Sequence, residues 1–208
     1  MEILASRLET RRWAGLRGAT TELTKEEGVT ADTANKLLYV GVTRITGSML
    51  ASDPPWQGRD HLALDENPCG GIFELQMGEG QADTDGLAIN SAWVARDARL
   101  AVAGIPVGEG CSEGSFSEPD NLSFIDGQGV LLIAEDTDRL PNRLWAWADG
   151  QLTPIFAAPS DGKDGGEVSG LSWVADVDGA GWITMSLQHP PGRPAVSGVL
   201  GPFPSTAR

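Results

Sequence analysis

One stretch of the chain carries the pattern from which its architecture can be predicted: Asp120-Asn-Leu-Ser-Phe-Ile-Asp-Gly-Gln-Gly-Val-Leu-Leu-Ile-Ala-Glu135. It begins with a carboxylate, continues through a short apolar segment and a turn at Asp126-Gly127, and ends in a strongly apolar strand. Asp-Gly is typical of the tight turn that joins two antiparallel strands. The stretch is therefore predicted to be a β-hairpin with an acid at its entrance.

The same plan occurs twice more, once from Glu27 to an apolar strand at 36–43 and once from Glu167 to an apolar strand at 181–188. Glu27 and Asp120 are 93 positions apart, and Asp120 and Glu167 are 47 apart, so the first spacing is close to twice the second. A period of about 40–50 residues with several strands per unit is typical of β-propeller blades. We expect strands 36–43, 130–134 and 182–187 to be equivalent.

The composition favours an all-β protein, because Gly 27 and Pro 13 are high for 208 residues and aromatic residues make up 6%. We expect a β-propeller-like fold with about four blades of a six-bladed fold, forming a single partial domain over residues 1–208. Residues 1–17 are expected to be an irregular or helical lead-in and 191–208 an irregular tail. Short apolar runs predict strands at 36–43, 71–77, 87–94, 99–104, 121–124, 130–134, 143–147, 152–156, 170–174 and 181–187.

The net charge narrows the possible partners. Asp and Glu number 29 against 15 Lys and Arg, for a formal charge of −14. A field of that sign repels nucleic acid and anionic membranes and favours bound cations. No apolar run reaches the ~18 residues of a membrane-spanning helix, and the first residues lack the basic-then-apolar order of a signal peptide.

The chain has two cysteines, Cys69 and Cys111, and their spacing does not decide between a disulfide and two free thiols. With only two histidines, His61 and His189, these residues do not make a standard four-ligand zinc site without carboxylates. A site with mainly oxygen ligands is therefore the better prediction for any bound metal.

Propeller blades radiate around a central channel, so residues at equivalent positions converge on one axis. Glu27, Asp120 and Glu167 are thus expected to meet at the channel mouth; the alternative is that they are exposed turn acids. Three ionised carboxylates in a small volume require counter-cations. A further acidic run, Glu135-Asp136-Thr-Asp138, closes a strand and is interpreted as a solvated loop, with calcium binding as the alternative.

Six strings of this sequence occur in an order and spacing that cover most of the chain: Gly18-Ala-Thr-Thr-Glu-Leu-Thr-Lys-Glu-Glu-Gly28, Leu38-Tyr-Val-Gly-Val-Thr43, Asn67-Pro-Cys-Gly-Gly-Ile-Phe-Glu-Leu75, Pro119-Asp-Asn-Leu-Ser-Phe124, Glu167-Val-Ser-Gly170 and Ser186-Leu-Gln-His-Pro190. Taken together, they resemble the PhoX-type alkaline phosphatases over about residues 5–190. The resemblance implies a six-bladed propeller, exported from bacterial cells to the periplasm or beyond, that hydrolyses small phosphomonoesters with iron and calcium in its channel. This chain resembles only the C-terminal part of that family.

The resemblance implies roles for particular residues. Glu27 and Glu167 would be cluster ligands, and Asp120 would face the channel with Asn121 beside it. Gln188 and His189 match a Gln-His-Pro stretch with a supporting or structural role.

Two basic residues, Lys25 and Arg44, are candidates to clamp a phosphate, with solvated loop charges as the alternative. Six blades need about 280 residues. The 208-residue chain alone is therefore expected to be a weak phosphatase or none, and to self-associate through open blade edges.

Two other functions fit the same residues. Pro119-Asp-Asn-Leu-Ser-Phe-Ile-Asp-Gly127 also resembles the blade starts of gluconolactonase-like propellers, which would make the chain a calcium-dependent lactonase or esterase. The third possibility is a non-catalytic propeller remnant that acts as a binding module.

Overall fold

The computed structural model describes residues 2–20, 22–52, 61–83 and 85–204, and most of them lie in β-strands. The described elements begin with α1 (Glu2–Leu8) and α2 (Thr10–Leu16), and a short 3₁₀ helix spans Gly47–Met49. The strands are β1 (Glu26–Asp32), β2 (Leu37–Val42), β3 (Gly71–Gly78), β4 (Val94–Ala103), β5 (Pro106–Val107), β6 (Gly110–Cys111), β7 (Pro119–Ile125), β8 (Val130–Glu135), β9 (Arg143–Ala148), β10 (Gln151–Ala157), β11 (Glu167–Val177), β12 (Ala180–Gln188) and β13 (Val196–Pro204).

The strands form antiparallel sheets in which neighbours in sequence are neighbours in space. The first sheet has the order β1-β2-β3-β4, the second β10-β9-β8-β7 and the third β11-β12-β13, while β5 and β6 make a separate hairpin. None of these sheets closes on itself in the described residues. The prediction of an all-β protein is confirmed at this level.

The three apolar strands predicted to be equivalent hold the same position in their sheets. β2, β8 and β12 are each the second strand, paired with β1, β7 and β11. Two further Asp-Gly pairs of the sequence, Asp149-Gly150 and Asp178-Gly179, form hairpin turns with positive φ at each residue. That conformation matches the twist of the flanking strands.

Several expectations from the sequence were wrong. Residues 87–93 are not a strand, since Leu87 is 67% exposed and β4 begins only at Val94. The prediction of an irregular tail was wrong for Val196–Pro204. This segment is a strand that pairs with β12 from Leu187↔Val196 to Ala180↔Pro204. The Gly and Pro residues of β13 suggest turns, but an edge strand tolerates them because one side needs no ladder partner. Strand β1 was missed because Glu-Glu-Gly-Val-Thr-Ala-Asp lacks alternating apolar residues.

Strand β8 explains how the sheets stack. Leu131 and Ile133 pack into one apolar cluster with residues of the first sheet, while Leu132 and Ala134 pack into another with residues of the third. Successive side chains of a strand point to opposite faces, so a continuous apolar run serves both interfaces. The second sheet therefore lies between the other two.

The first strands of the sheets lie next to one another. β1 contacts β7, and β7 contacts β11. The backbone N–H of Phe124 in β7 donates a hydrogen bond of 2.9 Å to Oγ1 of Thr30 in β1. These contacts bring the first strands of three different sheets into one region. No helix in the described part of the chain has the length and apolarity required to cross a membrane.

We expect Gly28→Ala to destabilise the fold by about 1–3 kcal/mol, because β1 and β7 approach too closely to admit a side chain. A Cβ at Gly28 would overlap the carbonyl oxygen of Asp120 and would lie 2.9 Å from the backbone nitrogen of Leu122. Denaturant unfolding measures the effect. The matched control is Gly198→Ala in β13, where an added Cβ meets nothing within 4 Å. Equal stability of both variants would contradict the close β1–β7 contact.

Candidate metal centre

Three carboxylates from two sheets meet where the first strands lie together. Asp120 is the second residue of β7, Asp136 follows the last residue of β8, and Glu167 is the first residue of β11. Antiparallel pairing of Pro119 with Glu135 places the end of β8 beside the start of β7. One carboxylate oxygen of each of the three acids lies within 4.8 Å of the others. We call Asp120, Asp136 and Glu167 the carboxylate cluster.

The cluster concentrates negative charge in a partly buried place. Burial first, and then the charges of Asp136 and Asp120, raise the pKa of Glu167 to about 7. Burial also raises the pKa of Asp120, opposed by a hydrogen bond from Glu167. Without a cation, these two carboxyls therefore share a proton more readily than two isolated carboxyls would.

Glu27 belongs to the same region. It lies on β1 and is exposed, and its charge raises the pKa of both Asp120 and Glu167. The structure thus brings together Asp120 and Glu167, two of the three acids singled out in the sequence, whereas Glu27 acts on them through its charge and is not among the carboxylates within 4.8 Å of one another. Each of the three acids comes from the first strand of a different sheet.

Two amides hold the carboxylates in place. Nδ2 of Asn121 donates to Oδ2 of Asp120 at 3.0 Å, and the backbone N–H of Gly170 donates to Oδ1 of Asn121 at 3.4 Å. Nε2 of Gln188 donates to Oε1 of Glu167 at 3.2 Å and to Oγ of Ser169 at 2.9 Å. Each amide restrains one carboxylate while leaving its remaining lone pairs for a cation.

The other sequence candidates lie apart from this arrangement. Arg44 is 47% exposed and donates to Oε2 of Glu118 from Nε at 3.0 Å and from Nη2 at 2.7 Å. His189 is exposed, with a left-handed backbone, and its side chain forms no hydrogen bond or ion pair with the described carboxylates. Within the described residues, Arg44 pairs with Glu118 and not with a cluster acid.

Sequence reasoning missed Asp136, which it assigned to a solvated loop. Counting outward from a two-residue turn at Asp126-Gly127 would place Asp136 opposite Ser117. In the structure the loop has four residues, because Ile125 pairs with Val130, and a register shift between Pro119 and Leu122 follows. The backbone N–H of Asp136 therefore donates to the carbonyl of Glu118 at 3.1 Å, a neighbour that register arithmetic from the turn does not give.

An open cavity of about 370 Å³ lies beside these strands. Residues adjacent in sequence to the cluster line it, namely Glu118, Thr137 and Asp138, together with the guanidinium groups of Arg44 and Arg139. The depression therefore offers both signs of charge next to the cluster strands.

No protein-family model, curated protein or solved structure matches this chain.

The raised pKa of Glu167 predicts how stability depends on pH in the absence of cations. The folded chain binds a proton at Glu167 up to about pH 7, whereas the unfolded chain releases it near the ordinary value of 4.5. The folded state thus holds more protons between these values, and this site's contribution to the free energy of unfolding falls as pH rises through that window.

Glu167→Gln should remove this dependence, so the variant should lose less stability than the wild type between pH 5 and pH 8. Denaturant unfolding in the presence of a chelator measures the difference. Asp164→Asn is the control, because Asp164 is an exposed loop acid outside the cluster. An unchanged pH slope in Glu167→Gln would show that Glu167 does not carry the shared proton.

Proposed function

We propose that this chain is a metal-dependent phosphomonoester hydrolase of the PhoX type, or part of one, and that the carboxylate cluster holds its calcium. One observation carries the proposal: Asp120, Asp136 and Glu167 place carboxylate oxygens within 4.8 Å of one another at the junction of separate sheets. Such a junction costs electrostatic free energy unless a cation or a proton is present.

The donor set fits calcium. Calcium takes six to eight oxygen ligands in a flexible geometry, and carboxylates are its usual protein ligands. The three cluster acids, with Glu27 beside them, supply such oxygens, and two amides orient them. Ferric iron also accepts carboxylate oxygens. The chain offers it no thiolate, however, because Cys69 and Cys111 form a disulfide.

A propeller arrangement is part of the proposal. Three sheets whose first strands lie together, each entered by an acid, are what blades around a channel would produce. The equivalent places of β2, β8 and β12 support the same idea. In this arrangement the cluster lies at a channel mouth, and open outer strands give edges for self-association.

The chain's own residues have definite tasks in this proposal. A cation in the cluster would neutralise phosphate oxygens and acidify a nearby water molecule. Asn121 and Gln188 hold Asp120 and Glu167 in a fixed orientation. The exposed guanidinium of Arg44 lines the adjacent cavity, where it can exchange Glu118 for a phosphate oxygen.

The remaining features of the proposal concern location and partners. We propose export to the periplasm or the extracellular space, with which the Cys69–Cys111 disulfide is consistent, since disulfides persist in oxidising compartments. The substrate is a small phosphomonoester, and the charge of −14 argues against nucleic acid as a partner.

Calcium binding is the first expected outcome. Asp136→Asn should weaken calcium binding about ten- to hundredfold, because the variant loses one charged ligand of the cluster. Isothermal titration with calcium measures it. Asp138→Asn is the matched control, since Asp138 is an exposed acid two residues away that the cluster does not include. Equal affinity of the two variants would remove Asp136 from the ligand set.

Catalysis is tested with a chromogenic phosphomonoester in the presence of calcium and iron. We expect at most weak hydrolysis from this chain alone, which a chelator abolishes, and a loss of about tenfold in kcat/KM for Arg44→Met, because a charged donor to the phosphate is removed. The control is Arg99→Met, which removes an exposed arginine paired with Glu74 on another strand pair.

The same assay separates the alternatives. Calcium-dependent hydrolysis of a lactone, with no phosphatase activity and no effect of Arg44→Met, would replace the proposal by the lactonase. Calcium binding without turnover of either substrate would leave a cation-binding module.

A further inference from the structure

The disulfide between Cys69 and Cys111 joins two segments that are 42 residues apart in sequence. Cys69 is fully buried in the segment before β3, and Cys111 is the half-buried last residue of β6. Cys111 also lines the cavity beside the cluster strands. The disulfide therefore fastens the β5–β6 hairpin to the body of the protein close to the proposed calcium site.

The Cys69 half of the disulfide is connected to the cluster through one residue. The carbonyl of Cys69 accepts a hydrogen bond of 3.0 Å from the backbone N–H of Glu118. The carbonyl of Glu118 in turn accepts the backbone N–H of Asp136 at 3.1 Å. Asp136 is a cluster acid, so its backbone is positioned by a strand that is itself bonded to Cys69.

The Cys111 half is connected through Arg139. Nη1 of Arg139 donates to the carbonyls of Cys111, at 3.0 Å, and Ser112, and Nη2 donates to the carbonyl of Ser115 at 3.0 Å. Nη2 also donates to Oε1 of Glu135 at 2.9 Å.

Glu135 is fully buried, and it accepts the backbone N–H groups of Ser117 and Arg143, each at 2.8 Å. It immediately precedes Asp136. Each half of the disulfide is thus connected by separate hydrogen bonds to Asp136 or to the residue before it.

We propose that the Cys69–Cys111 disulfide gates the calcium site: the oxidised chain holds the cation, and the reduced chain holds it much more weakly. This inference rests on the proposed function, because it concerns the same cluster. Breaking the disulfide frees residues 105–115, whose carbonyls anchor Arg139, and loosens the segment that anchors Glu118. Asp136 then samples more positions, and a cation site loses affinity when its supporting contacts loosen. In an exported protein, the site would mature only after oxidation.

The redox step is ordinary thiol–disulfide exchange with a dithiol as reductant. A thiolate of the dithiol attacks Sγ of Cys111, the half-buried sulfur, while Cys69 leaves with the bonding electron pair and takes a proton. The second thiol of the reagent then loses its proton and attacks the reagent's other sulfur, which is bonded to Cys111 in the mixed disulfide. The thiolate of Cys111 leaves and is protonated. Two electrons pass to the protein, and the reagent ends as a cyclic disulfide.

The test is isothermal titration of the full chain with calcium alone, in the oxidised form, after reduction by a dithiol, and after re-oxidation. We expect the reduced chain to bind about ten- to hundredfold more weakly, with full recovery on re-oxidation. Far-UV circular dichroism checks that the sheets persist. The double variant Cys69→Ser/Cys111→Ser should bind like the reduced chain and should not respond to the dithiol.

Arg139→Lys keeps a charge beside Glu135 but cannot reach the same set of carbonyls, so it should lose part of the affinity with the disulfide intact. Unchanged affinity in this variant would overturn the route through Arg139.

The outcomes distinguish the gate from the proposed function. Equal calcium affinity of the oxidised and reduced chains overturns the gate alone. Loss of the β-sheet signal on reduction also overturns it, since the disulfide would then hold the whole fold rather than one site. An oxidised chain that binds no calcium overturns the proposed function, and the gate with it.

Discussion

The contact among the first strands of three sheets brings carboxylates close together. They repel one another there unless a cation or a proton is present. Gly28 lets β1 approach the backbone of β7, and β7 in turn contacts β11. Each of these strands carries an acid near its start, so the same packing that buries the apolar side chains also gathers negative charge. Burial of the Glu167 carboxyl, and then the charges of Asp136 and Asp120, raise its pKa. A cation at this junction would stabilise the folded protein, because the cation would offset the repulsion between the carboxylates.

The contacts around this junction restrain the end of β8 and the residue that follows it, Asp136. Glu135 is fully buried, and a buried carboxylate is tolerated only when its oxygens are satisfied. Backbone N–H groups and the Arg139 guanidinium satisfy them, and this fixes the end of β8, from which Asp136 extends. The disulfide fastens the loop that carries the carbonyl partners of Arg139. Stability and the proposed cation chemistry therefore draw on the same contacts.

Sequence patterns predicted part of the cluster because they compared the positions of acids relative to apolar strands. Glu27, Asp120 and Glu167 were selected as acids that precede such strands, and the structure places Asp120 and Glu167 within 4.8 Å of each other, with Glu27 outside that group. Asp136 was missed because it follows a strand instead of preceding one, and its partner across the hairpin depends on register. Arg44 was selected by charge alone, and its salt bridge with Glu118 could not be read from composition.

The sequence by itself determined the all-β class, the apolar second strands and the tight turns, because alternation, Asp-Gly pairs and short apolar runs act locally along the chain. Only the tertiary structure decided that Cys69 pairs with Cys111, that Val196–Pro204 is a strand, and that carboxylates from two sheets lie within 4.8 Å of one another. These features arise between segments distant in sequence. They are stabilised by packing and pairing between those segments. The residues of one segment do not indicate which distant segment it will contact.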